Sequence, residues 1–103
     1  MAVGKIIISD FKLEAAEKAI LDNLIKNYKQ KIQEKLRFEE IRLRLKKTRH
    51  GKNYMHQVKG LMISSKRYNA EASDYNLFAA TAEVLEKLLH EAEHDKRTAR
   101  QKK

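Results

Sequence analysis

From Glu40 to Lys46 apolar and charged side chains alternate without a fault: Glu40-Ile41-Arg42-Leu43-Arg44-Leu45-Lys46. A period of two is the repeat of a strand with one covered face and one wet face. The pattern predicts that Ile41, Leu43 and Leu45 face a core while Arg42, Arg44 and Lys46 face water. Such a strand needs partners, and the rest of the chain supplies them in short runs.

Lys5 to Phe11 reads as a first strand, because Ile6-Ile7-Ile8 is continuous and β-branched. Leu13 to Leu36 switches to helical period, with Ile20, Leu21, Leu24, Ile25, Tyr28, Ile32 and Leu36 on one stripe. Thr48 to Asn53 contains Gly51 and reads as a hairpin connection. Tyr54 to Ser64 is a third strand, in which Tyr54, His56 and Val58 share a face and Gly60 marks a bulge or bend. After a turn at Ser65-Lys66, Arg67 to Ser73 makes a fourth strand with Tyr68, Ala70 and Ala72 inward. Ser73 or Asp74 caps a second helix, whose stripe runs from Leu77 through Val84 and Leu88 to Ala92.

The predicted order is β-α-β-β-β-α. Two one-sided helices and a one-sided sheet make a two-layer α+β sandwich, both helices on one face of four strands. The other sheet face is left open. Residues 1–95 are expected to form one domain and 96–103 a basic C-terminal tail. A chain of 103 residues has surface enough to bury for one core and not for two.

The composition excludes several chemistries. There is no cysteine, so disulfides, thiolate zinc sites and a cysteine nucleophile are out. Three glycines and no proline leave no glycine-rich phosphate loop. No apolar run approaches the ~20 residues of a membrane span. Met1 to Ile8 is too short for a signal peptide and lacks a small-residue cleavage site, so a cytoplasmic location is expected.

Lys and Arg number 23 against 14 Asp and Glu, a net charge of +9, and the excess is local. Residues 37–67 hold ten basic and two acidic side chains, and residues 96–103 hold five basic and none acidic. Residues 73–95 hold one basic and six acidic ones. Concentrated positive charge on a small domain predicts a polyanionic partner, with nucleic acid the first candidate and an anionic membrane surface the second. Arg42, Arg44, Lys46, Lys47, Arg49 and Lys52 are therefore candidate phosphate contacts. The plainer reading is a solvated sheet face whose charges guard against edge aggregation; a balanced face would serve that purpose equally well.

His90-Glu91-Ala92-Glu93-His94 matches the H-E-x-x-H zincin pattern. A catalytic zinc also needs a third protein ligand and a walled cleft. Only nine residues follow His94, none of them His or Glu, and both histidines point away from the apolar stripe. No catalytic residue, metal site, cofactor or small-molecule substrate is expected. His56 is read as a strand residue beside Tyr54, and Tyr68 and Tyr75 as core or rim residues that are also able to stack on bases.

The element order, size and charge resemble the ribosome hibernation-promoting factor family, also called ribosome-associated inhibitors or sigma-54 modulation proteins. The resemblance is most local at Tyr68-Asn69-Ala70-Glu71-Ala72 and Asp74-Tyr75-Asn76-Leu77-Phe78-Ala79-Ala80. There the family has an H-A-S-A type strand and a D-M-Y-A-A-I helix start. Glu86-Lys87-Leu88 stands where it has D-K-L. The resemblance implies a fold related to the double-stranded RNA-binding domain. It also implies a non-enzymatic factor that binds ribosomal RNA of the small subunit and inhibits translation in quiescent cells. Family members contact RNA through basic residues on both helices, which places Lys26, Lys29 and Lys31 on the first helix and Lys87 on the second. Lys96, Arg97 and Arg100 of the tail extend that set. Where the family carries further basic residues after Lys87, this chain has His90, Glu91, Glu93, His94 and Asp95.

Two other readings stay open at this point. One is a homodimeric protein-interaction module that associates through the open sheet face or an edge strand. The other is a generic binder of double-stranded RNA.

Overall fold

The computed structural model describes residues 4–9 and 11–101, with side chains as far as His94. The elements are β1 (Lys5–Ser9), α1 (Ala15–Lys35), β2 (Glu40–His50), β3 (Asn53–Ile63), β4 (Arg67–Asp74) and α2 (Leu77–Gln101). They form one four-stranded sheet in the order β1-β2-β3-β4. β1 runs parallel to β2, and the other neighbours are antiparallel. A parallel pair cannot be joined by a tight turn, and α1 is the crossover that joins it. This is the expected two-layer α+β sandwich, with both helices on one side of the sheet.

The alternation in β2 sets the faces. Ile41, Leu43 and Leu45 are buried, and Arg42, Arg44 and Lys46 are exposed. The register carries these faces across the sheet: Ile41 sits opposite Met62, Leu43 opposite Gly60 and Leu45 opposite Val58. Ile6 and Ile8 of β1 pair with Ile41 and Leu43 and pack against the same core. From the helices come Leu21, Ile25 and Ile32 of α1 and Leu77, Val84, Leu85, Leu88 and Leu89 of α2. Phe38, in the link from α1 to β2, is 1% exposed and closes one end of this core. The buried polar Thr81 donates its hydroxyl to the Leu77 carbonyl at 2.9 Å.

Several local expectations are corrected. β1 ends at Ser9 rather than Phe11. Thr48 to Asn53 is not a loop: β2 runs to His50, β3 starts at Asn53, and only Gly51-Lys52 turns between them. Gly51 has φ +62°, the sign that two-residue hairpin turns need at their first position. Gly60 is neither bulge nor bend, because pairing runs through it without a break on both sides. Its role is close approach: a Cβ there would lie 2.5 Å from Val84 Cγ1 and 3.0 Å from Leu88 Cδ1. The cap of α2 is Asn76 rather than Ser73 or Asp74. Its Oδ1 accepts from the N–H groups of Phe78 (2.9 Å) and Ala79 (3.2 Å), while Asp74 Oδ1 accepts from the Asn76 N–H (2.8 Å). Ile20 lies outside the core at 54% exposure. It is turned about 100° from Leu21, which takes the centre of the stripe. The helix backbone continues through residues 96–101.

β4 is a sheet edge, a position prone to pairing with foreign strands. The Lys87 ammonium reaches over from α2 and donates to the edge carbonyl of Glu71 at 3.0 Å. That hydrogen bond occupies one edge acceptor with a charge.

Candidate nucleic-acid interface

The uncovered side of the sheet is a cationic surface. By register it carries Lys5, Arg42, Arg44, Lys46, Lys59 and Arg67 against Glu40 and Glu71. Arg42 Nε donates to the Glu40 carboxylate on the same strand, which neutralises one corner. Partly buried Ile7, Leu61, Ile63 and Met55 lie among these charges.

The hairpin of β2 and β3 continues past the core. From Lys46 to Tyr54 every residue is exposed, four are Lys or Arg, and none is acidic. Strand parity divides the arm: Lys46 lies on the open side, while Lys47 and Arg49 lie on the side of the helices. Lys47 Nζ stands 5.1 Å from the centre of the Tyr54 ring, and Arg49 is directly opposite Tyr54. Arg49 Nε donates to the Gly51 carbonyl at 3.1 Å, which ties its guanidinium to the turn.

On the helices the picture differs. Lys26 is exposed and Lys29 half-buried on α1, among Asp22, Glu34 and other acidic neighbours in sequence. Lys31 is held: it donates to Glu86 at 2.9 Å and lies 5.5 Å from the Tyr28 ring centre. The Tyr28 hydroxyl donates to the same Glu86 oxygen at 3.0 Å. Lys87 is held at the β4 edge. Thus Lys31 and Lys87 have internal partners, and Lys26 and Lys29 do not lie on the sheet's cationic surface. Lys96, Arg97 and Arg100 lie beyond the described side chains. Tyr54 is the site residue that sequence reasoning missed; its signal was its place between Lys47 and Arg49 once the hairpin is folded with a two-residue turn.

The Tyr28–Lys31–Glu86 cluster clips α1 to α2 and has a pH signature. The Lys31 hydrogen bond holds the Glu86 carboxyl below its ordinary range. Burial, then the bond to Glu86, pushes the Tyr28 hydroxyl up, and the bond to Glu86 raises Lys31. A lowered carboxyl pKa gives stability above the ordinary carboxylate range that is lost as pH falls through the folded value. The raised groups act at the other end: their contribution is present below their ordinary values and lost as pH rises through the folded ones. Lys31 and Glu86 are exposed and Tyr28 is only partly buried, so the effect is small. Glu86→Gln should lower the melting temperature slightly at neutral pH, and the difference should shrink as pH falls through the lowered carboxyl value of the folded state. A difference that stays constant across thermal melts at falling pH would sink this account.

The H-E-x-x-H histidines are exposed on α2 beside the β4 edge, where His90, Glu91 and His94 line a shallow hollow with Lys66 and Tyr68. Among the described residues no group of three or more His, Asp or Glu side chains is placed to hold a metal ion. His56 spends its Nδ1 on the Tyr75 carbonyl, 2.9 Å away. No helix among the described residues is long and apolar enough to cross a membrane.

No family model matches the sequence, and no curated protein matches it. Solved structures do. Two of them share this fold. The N-terminal domain of Protein Y from Thermus thermophilus superposes with a TM-score of 0.51 at 14% identity, covering 88% of this chain and 94% of that one. A ribosomal subunit interface protein from Coxiella burnetii gives 0.51 at 11% identity, covering 93% of this chain and 97% of that one. The likeness spans both layers, and it is to the fold that the sequence resemblance implies.

Proposed function

We propose that this chain is a non-enzymatic cytoplasmic factor that binds RNA of the small ribosomal subunit and restrains translation. The observation that carries the reading is the fold, shared over 93% of the chain with a protein described as lying at a ribosomal subunit interface. Charge segregation supports the reading and supplies the contact surface. Phosphates would meet the open sheet face and the hairpin arm, while α2, with Glu83 and Glu91 exposed and Glu86 and Glu93 paired with Lys31 and Lys35 of α1, would be turned away. The same charges disfavour self-association through that face, since a second copy would set six cations against six.

The test is a sucrose-gradient profile of tagged protein from resting cells, with cell-free translation alongside. Enrichment in small subunits or monosomes, and slower translation on addition of the protein, are expected. Absence from every ribosomal fraction would overturn the reading and favour a protein-interaction module. The C-terminal residues make a second check. Deleting 96–103 removes five basic residues and no acidic ones, taking net charge from +9 to +4. Melting temperature should hardly change, because among the described residues the last apolar core position is Ala92 and residues 96–103 are mostly basic. Ribosome affinity should fall, and its log–log salt slope should shrink by up to roughly 0.7–0.9 for each phosphate that the shortened chain no longer neutralises. An unchanged slope would mean that these residues are only solvated.

A further inference from the structure

Among the described residues three large apolar or aromatic side chains are strongly exposed: Ile20, Tyr54 and Tyr75. Two of them belong to one corner of the molecule. Tyr54 lies on the helix side of the hairpin arm, two residues along β3 from His56, and the His56 ring fixes the backbone of Tyr75 through its Nδ1 bond to the carbonyl. Tyr54 is 48% exposed and Tyr75 56% exposed.

The surroundings of Tyr54 are cationic. Lys47 Nζ stands over its ring, and Arg49 is its partner across the ladder, anchored to the turn. Asp74 is the acidic group in this corner, paired with His56 across the ladder, and its carboxylate is committed to the turn before α2. A half-exposed aromatic ring with two cations beside it on the neighbouring strand, one directly across the ladder and one on the diagonal, has the components of a nucleotide subsite. The ring offers a stacking surface, and the cations stand where the flanking phosphates would run. Duplex RNA keeps its bases stacked inside and offers only phosphates and the shallow groove, so it would use the cations without the ring.

We propose that Tyr54, flanked by Lys47 and Arg49, stacks an unpaired nucleotide of ribosomal RNA. The proposal rests on the ribosomal reading above and adds a ligand chemistry to it. A hairpin-stabilising role for Tyr54 is the alternative, since cross-strand pairs of this kind also support sheets.

The experiment compares wild type, Tyr54→Ala, Tyr54→Phe and Lys47→Gln. Each is titrated against a fluorescent single-stranded oligouridine of about twelve nucleotides, within the length such sites cover, and against a duplex of equal length. Each is also pelleted with purified ribosomes. Tyr54→Ala should weaken single-strand binding roughly 5- to 150-fold, the loss of one stacked base. Its salt slope should stay unchanged, and duplex binding should stay near wild type. Tyr54→Phe keeps the π face and should retain affinity. Lys47→Gln should instead flatten the single-strand salt slope by up to roughly 0.7. Ribosome pelleting should weaken with Tyr54→Ala and persist with Tyr54→Phe. Equal losses on single strand and duplex, or no loss on either, would overturn the stacking role. Selective loss on oligouridine with unchanged pelleting would overturn the ribosomal source. Wild-type protein that never pellets with ribosomes would overturn the function proposed above, and is told apart from a failed subsite because the oligouridine arm still responds to Tyr54.

Discussion

Leu43→Ala should destabilise the protein by about 2–5 kcal/mol in chemical denaturation, the largest single-residue loss expected on β2. Leu43 has no exposure, and it lies between β1 and β3, in the space that Val84 and Leu88 of α2 close over Gly60. Removing its branched end leaves a hole that α2 cannot fill, because the helix already sits as close to the sheet as Gly60 permits. Lys46→Ala, on the opposite face of the same strand, should change stability by no more than about 0.5 kcal/mol. The pair separates a one-sided strand from a strand buried on both faces: equal losses would mean that the face assignment is wrong. Gly60→Ala should also destabilise, by about 1–3 kcal/mol, because its methyl would sit inside contact distance of Val84 and Leu88. Leu43 Cδ2 is 3.3 Å from that same Cβ position. The two changes therefore act on one space, one adding volume and the other removing it. The double variant should lose less than the two single losses together.

The element order was legible because each element announces its own period. β2 alternates faultlessly, and α1 and α2 carry apolar residues at three- and four-residue spacing. What was not legible depended on packing between elements. Gly60 looks like a flaw in a strand when read alone; only the closeness of Val84 shows that a side chain there would collide. Thr48 to His50 look like loop residues because they are polar. They are strand because two strands that outrun their core can still pair through their backbones, and a side chain facing water on both sides carries no burial signal. The start of α2 was displaced for a similar reason. Ser73, Asp74 and Asn76 are all good caps, and the choice fell to Asn76 when β4 extended to Asp74. At the candidate interface, the charge of residues 37–67 was visible in the sequence, but its division between two sides of the hairpin was not. Nor was the capture of Lys31 and Lys87 by internal partners, since both depend on a helix or strand more than ten residues away.

Replacing Lys46, Lys47, Arg49 and Lys52 together with glutamine should cut RNA affinity far more than replacing Lys26 and Lys29 on α1. The resemblance to ribosome-associated inhibitors points to the helices, whereas the charge distribution points to the arm, and this comparison decides between them. The arm variant removes four exposed cations from a stretch with no acidic residue. Residues 14–36, by contrast, hold five basic and four acidic side chains, so a phosphate approaching α1 meets both signs. If all four arm residues meet phosphates, the log–log salt slope should shrink by about 3, equivalent to roughly a 60-fold change in relative affinity across a fourfold rise in salt. Stability should be little altered, because none of the four side chains is buried and the turn depends on Gly51. The measurement is ribosome pelleting at a series of salt concentrations, with thermal melts as the control for folding. A small slope change for the arm and a large one for Lys26 and Lys29 would place RNA on the helices and leave the arm as solvated β-structure. A large change for the arm would put the phosphate backbone along the hairpin, with the Tyr54 ring beside it.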